Sequence, residues 1–295
     1  MTASPFTGVG TALLTPFRED GAVDLANLTD FIEFQISEGI NFIVPCGTTG
    51  EGVTLSDAEQ AEVIKTCLKV AKGRVPVLAG CGGNNTAAII GKGKELKELG
   101  VTHILSVSPY YNKPTQEGIY QHYRAINRET GLEIMLYSIQ GRTASNVLPE
   151  TVARLAEEKI IFAIKEGSGS IVQMQKICQL TGESLQVFSG DDALTMPLMA
   201  VGGVGVVCTS SNVLPKPICE WVDTMKQGDF HRAQEQLKPL LPAFEAFFVE
   251  TNPIPVKGAA SLMGLMQARY RLPLVPPSES TMHLLKQVLA PFPRP

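Results

Sequence analysis

The sequence predicts an α/β fold, a (β/α)8 barrel with a helical C-terminal extension. Three observations carry that prediction. About eight short apolar runs alternate with segments of helical periodicity, as strand–helix repeats require. Polar and ionisable residues gather just after those runs, at the strand ends where barrel enzymes keep their chemistry. Beyond residue 210 the strand signals stop and only helical patterns remain. A doubly wound open sheet is the alternative, but no glycine-rich dinucleotide fingerprint follows the first run.

Taken in order, the strand candidates cover residues 8–17, 42–47, 75–81, 102–109, 133–139, 160–165, 185–190 and 203–210. Runs so short and apolar read as strands buried on both faces of a parallel sheet. Between them, Ser56-x-x-Glu59 is a capping box, and Ile64, Cys67, Leu68 and Ala71 follow at helical spacing. Thr115 suits the cap of a helix carrying Ile119, Tyr123 and Ile126. Pro149 suits a first helical turn, with Val152, Leu155 and Ala156 on one face. Asp191-Asp192 reads as the cap of the helix after the seventh strand rather than as a metal site. In the extension, Ile218, Trp221, Val222 and Met225 mark an amphipathic helix. A second helical region runs over 229–250, where Pro239 and Pro242 are expected to bend or break it. Further helices begin near Pro255, with Lys257 at the helix start, and near Ser280. The expected organisation is a catalytic barrel over residues 1–225 and a C-terminal helical domain over 226–295.

Hydrophobic residues make up 44% and charged residues 18%, an ordinary soluble composition with ample material for a core. A net charge of −4 without a basic cluster argues against nucleic acid as a partner. The first residues, Met1-Thr2-Ala3-Ser4-Pro5, lack the regions of a signal peptide, and residues 197–208 are too short and glycine-rich to span a bilayer. A cytoplasmic protein without membrane partners is expected. Cys46, Cys67, Cys81, Cys178, Cys208 and Cys219 are scattered, as reduced core residues are. No zinc-type spacing links the histidines, so no metal is expected.

The strand ends carry the informative residues. Gly47-Thr48-Thr49-Gly50-Glu51 follows the second run, and Tyr110-Tyr111-Asn112 the fourth. Tyr137 lies in the fifth, with Gly141-Arg142-Thr143 after it. Lys165 ends the sixth, followed by Glu166-Gly167-Ser168-Gly169, and Ser189-Gly190-Asp191-Asp192 ends the seventh. Singly, each has an ordinary structural role: threonines make turns, tyrosines pack, and arginines and lysines solvate surfaces. Together on one rim, hydroxyls, a guanidinium and an amine suit imine chemistry on a carboxylate-bearing carbonyl compound.

On these motifs the chain resembles the dihydrodipicolinate synthase / N-acetylneuraminate lyase family of pyruvate-dependent class I aldolase-type enzymes. The likeness runs from Phe6-Thr7-Gly8 to the segment around Asn252-Pro253-Ile254-Pro255-Val256-Lys257. It implies that Lys165 forms a Schiff base with pyruvate and that no other cofactor is needed. An ammonium of ordinary pKa, about 10.4, must be brought to its neutral form for that attack. The resemblance further implies that Tyr137 shuttles protons in a relay with Thr48 and Tyr111, the last reaching in from a neighbouring subunit. Thr48 and Thr49 would hold the pyruvate carboxylate. Arg142 would hold the carboxylate of L-aspartate-4-semialdehyde, a role suited to a bidentate guanidinium. The carbonyls of Gly190 and Val207 would line the pocket. The implied product is 4-hydroxy-tetrahydrodipicolinate, in lysine and diaminopimelate biosynthesis. The implied assembly is a homo-oligomer, at least a dimer and in the family a dimer of dimers.

Two positions depart from the synthase pattern. Ser138 stands where an asparagine is usual, and Gln140 where a proline is usual. Loss of the proline is expected to loosen the loop that aims Arg142. The alternative function is therefore a sister aldolase or dehydratase acting on a keto-deoxy sugar acid or N-acetylneuraminate-like substrate. Arg142 disfavours it, because a polyol tail calls for hydroxyl partners. A barrel that only senses a keto acid is disfavoured by the joint presence of Lys165, Tyr137, Thr48 and Tyr111. Lysine inhibition is expected to be weak or absent. Asn84 and Tyr110 of the family's effector pocket remain, but its glutamate position falls on Ala88, and Gly52, Val53, Asp57 and Gln60 occupy the helix that faces it.

Overall fold

The computed structural model describes residues 5–294. The signal-peptide reading rests mainly on residues 1–4, which lie outside them. Eight strands are formed: β1 (Gly8–Ala12), β2 (Phe42–Val44), β3 (Ala79–Gly80), β4 (His103–Val107), β5 (Glu133–Ser138), β6 (Ala163–Glu166), β7 (Gln186–Ser189) and β8 (Gly205–Cys208). Helices lie between them: α1 (Leu25–Ser37), α2 (Asp57–Ala71), α3 (Thr86–Glu98), α4 (Gln116–Thr130), α5 (Gln140–Thr143), α6 (Pro149–Glu157), α7 (Ile171–Thr181) and α8 (Thr195–Ala200). Four more follow the last strand: α9 (Pro215–Lys226), α10 (Phe230–Ala246), α11 (Ile254–Leu262) and α12 (Glu279–Leu289).

All registered strand pairs are parallel, in the order β2-β1-β8-β7-β6-β5-β4-β3. A parallel bridge between Ile43 and Val77 joins β2 to the segment entering β3. Eight parallel strands thus form a nearly closed barrel with helices between them, a (β/α)8 barrel carrying C-terminal helices.

The strands are shorter than the apolar runs for local reasons. After β2, Pro45 has no N–H to donate and Cys46 turns left-handed at φ 59°, so the chain leaves the sheet three residues before the run ends. β6 instead extends one residue beyond Lys165, to Glu166.

Two compact units are distinguished, one comprising residues up to Val77 and from Cys208 on, the other Leu78–Val207. In the first, Phe42 packs edge-on against Phe6, and a Cβ at Gly10 would meet the Phe42 ring at 2.1 Å. Trp221 of α9 packs on Phe244 of α10. The helix α10 runs unbroken through both of its prolines, so of the expected bend or break the break does not occur. Pro239 and Pro242 sit on its exposed side, so the carbonyls they leave unpaired face water, while Ala233, Leu240, Ala243 and Phe244 are buried and hold the helix down. The Ser56–Glu59 capping box closes the start of α2. In the second unit, the Thr115 hydroxyl caps α4 and Pro149 opens α6.

Candidate active site

The second unit holds Lys165, the residue expected to act as nucleophile. Side chains of directly opposed residues in neighbouring strands share one face of the sheet. Tyr137 on β5 is opposite Lys165 on β6, and Val107 of β4 is opposite Tyr137. The Lys165 Nζ atom stands 4.2 Å from the centre of the Tyr137 ring. Both residues are buried. Burial pushes the Tyr137 phenol far above its ordinary pKa. The Arg142 guanidinium works against that shift, and the Asp192 and Asp191 carboxylates add to it. Tyr137 is therefore protonated at neutral pH, beside the Lys165 amine and within the field of the Arg142 guanidinium.

Arg142 sits on the short helix α5, which takes the place of the loop expected to be loosened. Its turn is well tied. The Thr143 hydroxyl shares its one proton between the carbonyls of Ile139 and Ser145 and accepts from the Ser145 N–H. Ser138, standing in the asparagine position, accepts the Val147 N–H through its Oγ atom. Arg142 itself is exposed.

Gly190 follows β7 and donates its N–H to the Glu166 carbonyl at 2.6 Å. A Cβ at Gly190 would lie 3.0 Å from that carbonyl oxygen and 3.1 Å from Gly167 Cα, so only glycine fits without moving the strand end. Val207 lies fully buried on β8. Asp191 accepts the Ala193 N–H, but the N-cap of α8 is Leu194, so Asp191 closes the turn before the helix and neither aspartate is its cap.

Tyr111 is held in a left-handed conformation, φ 72°, with 89% of its surface exposed. Its turn is fixed by the Asn84 side chain donating to the Tyr110 carbonyl and the Asn112 side chain donating to the Asn84 carbonyl. In this chain the phenol of Tyr111 points into solvent rather than packing.

The first unit holds the threonines. Thr48 is exposed after β2, and its carbonyl accepts the Glu51 N–H. Thr49 is buried, accepts from the Asn252 side chain at 3.0 Å and shares a hydrogen bond with the Thr209 hydroxyl at 3.4 Å. Gly50 is required because a Cβ there would lie 2.7 Å from the Leu13 carbonyl oxygen.

Sequence reading missed what lies beneath this loop. Glu51, left-handed at φ 53°, pairs with Lys257 of α11, and both side chains are fully buried. Lys257 also donates to the Arg269 carbonyl at 2.9 Å and lies over the Phe17 ring. It is thus no ordinary helix-start lysine. Burial pulls its amine down to about 8, an effect that Glu51 resists. Asn252 and Thr209 were missed as well. The usable signal was a charged residue, Lys257, inside an otherwise apolar helix, since such a charge is buried only when paired.

Among the described residues, no group of three or more His, Cys, Asp or Glu side chains is arranged to hold a metal ion. No disulfide joins any of the six cysteines. Among the described residues, no helix is long and apolar enough to cross a membrane.

Comparison with known proteins follows the same lines. The sequence profile of the dihydrodipicolinate synthetase family matches residues 5–291. The 4-hydroxy-tetrahydrodipicolinate synthase of Trichlorobacter lovleyi is 46% identical over 287 residues, covering 97% of this chain and 99% of the relative. The crystal structure of dihydrodipicolinate synthase from Thermotoga maritima matches with a TM-score of 0.95 at 42% identity, over 98% of this chain and 99% of that one. The structure of the enzyme from Cyanidioschyzon merolae with lysine bound matches at 0.94 and 37% identity, over 97% and 98%. The chain belongs to the dihydrodipicolinate synthetase family.

Proposed function

We propose that this chain is a lyase of the class I aldolase type that condenses pyruvate with L-aspartate-4-semialdehyde to 4-hydroxy-tetrahydrodipicolinate, in lysine and diaminopimelate biosynthesis. The observation that carries the reading is the buried Lys165 amine beside the Tyr137 ring on the adjacent strand. Lys165 attacks the ketone carbon of pyruvate, and loss of water gives an imine. Tyr137, kept protonated by its burial, donates the proton that lets hydroxide leave as water. The imine draws electrons from the methyl group, which loses a proton and becomes an enamine nucleophile. The enamine carbon attacks the aldehyde carbon of the second substrate. The substrate amine then displaces Lys165 and closes the ring.

The other residues take roles that their chemistry supports. Thr48 and Thr49 bind the pyruvate carboxylate. Asn252 donates to Thr49 and so leaves the threonine hydroxyl proton available to donate onward. Arg142 pairs with the carboxylate of the semialdehyde. The carbonyls of Gly190 and Val207 line the pocket. Tyr111 completes the relay from a neighbouring copy of the chain, a role suited to an aromatic side chain presented to solvent on a rigid turn. The working form is therefore a homo-oligomer, at least a dimer, and acts in the cytoplasm. The reaction needs no cofactor beyond the lysine–pyruvate imine.

A coupled assay with pyruvate and aspartate semialdehyde, run beside a panel of keto-deoxy sugar-acid aldols, tests the reading. Turnover of the semialdehyde pair alone is the expected result. Cleavage of a sugar-acid aldol with no semialdehyde turnover would assign the chain to the sister lyases instead.

A further inference from the structure

The residue after the nucleophile is Glu166, and alternation along β6 turns it to the opposite face from Lys165. Its carboxylate is fully buried, and no cation pairs with it among the described residues. It accepts the Ser168 N–H and, at 2.7 Å, one hydrogen of the Gln173 side-chain amide. The same Gln173 nitrogen donates to Asn146 Oδ1, and Asn146 Nδ2 donates back to Gln173 Oε1 at 2.8 Å. The Gln173 amide is thereby saturated: both hydrogens are donated and its oxygen accepts. Gln116 of α4 grips the same segment, donating to the Asn146 carbonyl and accepting the Leu148 N–H. Asn146 lies four residues past Arg142, at the end of the turn that Thr143 ties together.

We propose that Glu166, Gln173 and Asn146 are positioning residues that anchor the Arg142 turn to the strand end carrying Lys165, and so set selectivity for the carboxylate-bearing aldehyde. The inference rests on the proposed function for the role of Arg142. It explains how the chain dispenses with the proline at position 140. A chain of side-chain hydrogen bonds fixes the turn in place of a restricted backbone angle. Glu166 gives the anchor its direction, because its Oε1 atom accepts from the Gln173 nitrogen and thereby fixes which way that amide faces.

Asn146 is half-buried, so Asn146→Ala removes the last link with little disturbance to the core. Loss of one or two neutral hydrogen bonds that hold the guanidinium in place should raise KM for the semialdehyde by about 5- to 30-fold, with kcat changed about twofold or less. Formation of the pyruvate imine at Lys165 should stay within about twofold of the parent. In an Arg142→Ala background the same substitution should add almost nothing, since it acts through a side chain already removed. Losses that multiply in the double variant, or an equal loss in imine formation, would overturn the proposal. Hydrogen exchange over residues 139–147, read by mass spectrometry, gives a second test that needs no turnover. Faster exchange in Asn146→Ala is the expected result, and unchanged exchange would overturn the anchor. Failure of the parent to use the semialdehyde would count against the proposed function, while the exchange measurement would still decide the anchor.

Discussion

Replacing Lys257 with methionine removes one half of a fully buried ion pair. Both side chains are 0% exposed, so Glu51 would be left with only the Arg271 N–H at 3.3 Å as a side-chain hydrogen-bond partner. Breaking such a pair costs about 3–5 kcal/mol, because the remaining carboxylate loses its direct ion-pair partner without regaining water. Unfolding entropy of about 2.1 cal/mol/K per residue over the chain converts this to a fall in Tm of roughly 5–8 °C. Trp221, the only tryptophan, lies in the same unit as the pair and reports its unfolding by fluorescence in urea. Glu51→Gln with Lys257→Met removes both charges, keeps an acceptor for Arg271, and should recover at least half of the loss. A loss below about 1 kcal/mol in Lys257→Met, or a double variant no more stable than the single one, would refute the reasoning.

Other outcomes follow from the same geometry. Gly190→Ala sets a methyl group against the backbone of Glu166 and Gly167, costing about 1–3 kcal/mol and slowing borohydride trapping of pyruvate by roughly 10-fold; trapping at the parent rate would show that the strand end tolerates the intrusion. The buried His122 is held at a pKa of about 4 by desolvation, below its ordinary value of 6.5. The unfolded chain therefore takes up the proton first, so its contribution is complete above about pH 6.5 and is lost as pH falls towards 4. Urea unfolding at pH 7.5 and pH 5 should show this as about 2 kcal/mol, absent in His122→Gln; identical pH slopes for the two proteins would contradict it. L-lysine should inhibit weakly or not at all, because Ala88 offers no counter-charge to its ammonium. Submillimolar inhibition in the coupled assay would show that another group, such as Asp57, supplies one.

The parts that were legible in the sequence are those with a local signature. Alternating apolar runs and helical stripes foretold the barrel, and Ser56, Thr115 and Pro149 marked helix starts that the structure repeats. Lys165 was legible because a lysine ending an apolar run has to be explained. The supporting residues were not. Thr49 meets Asn252 across 203 positions, and Glu51 meets Lys257 across 206, separations at which spacing carries no information. Gln173 and Asn146 look like ordinary surface amides until the fold places a buried carboxylate against one of them. The prolines of α10 do not break the helix, because packing on its other face holds it together.

Reductive trapping tests the central claim most directly. The protein is incubated with pyruvate, treated with borohydride, digested and mapped by mass spectrometry. The account predicts a single adduct on Lys165, lost together with activity in Lys165→Ala. Active protein with Lys165 unmodified, or an adduct on another lysine such as Lys257, would contradict it.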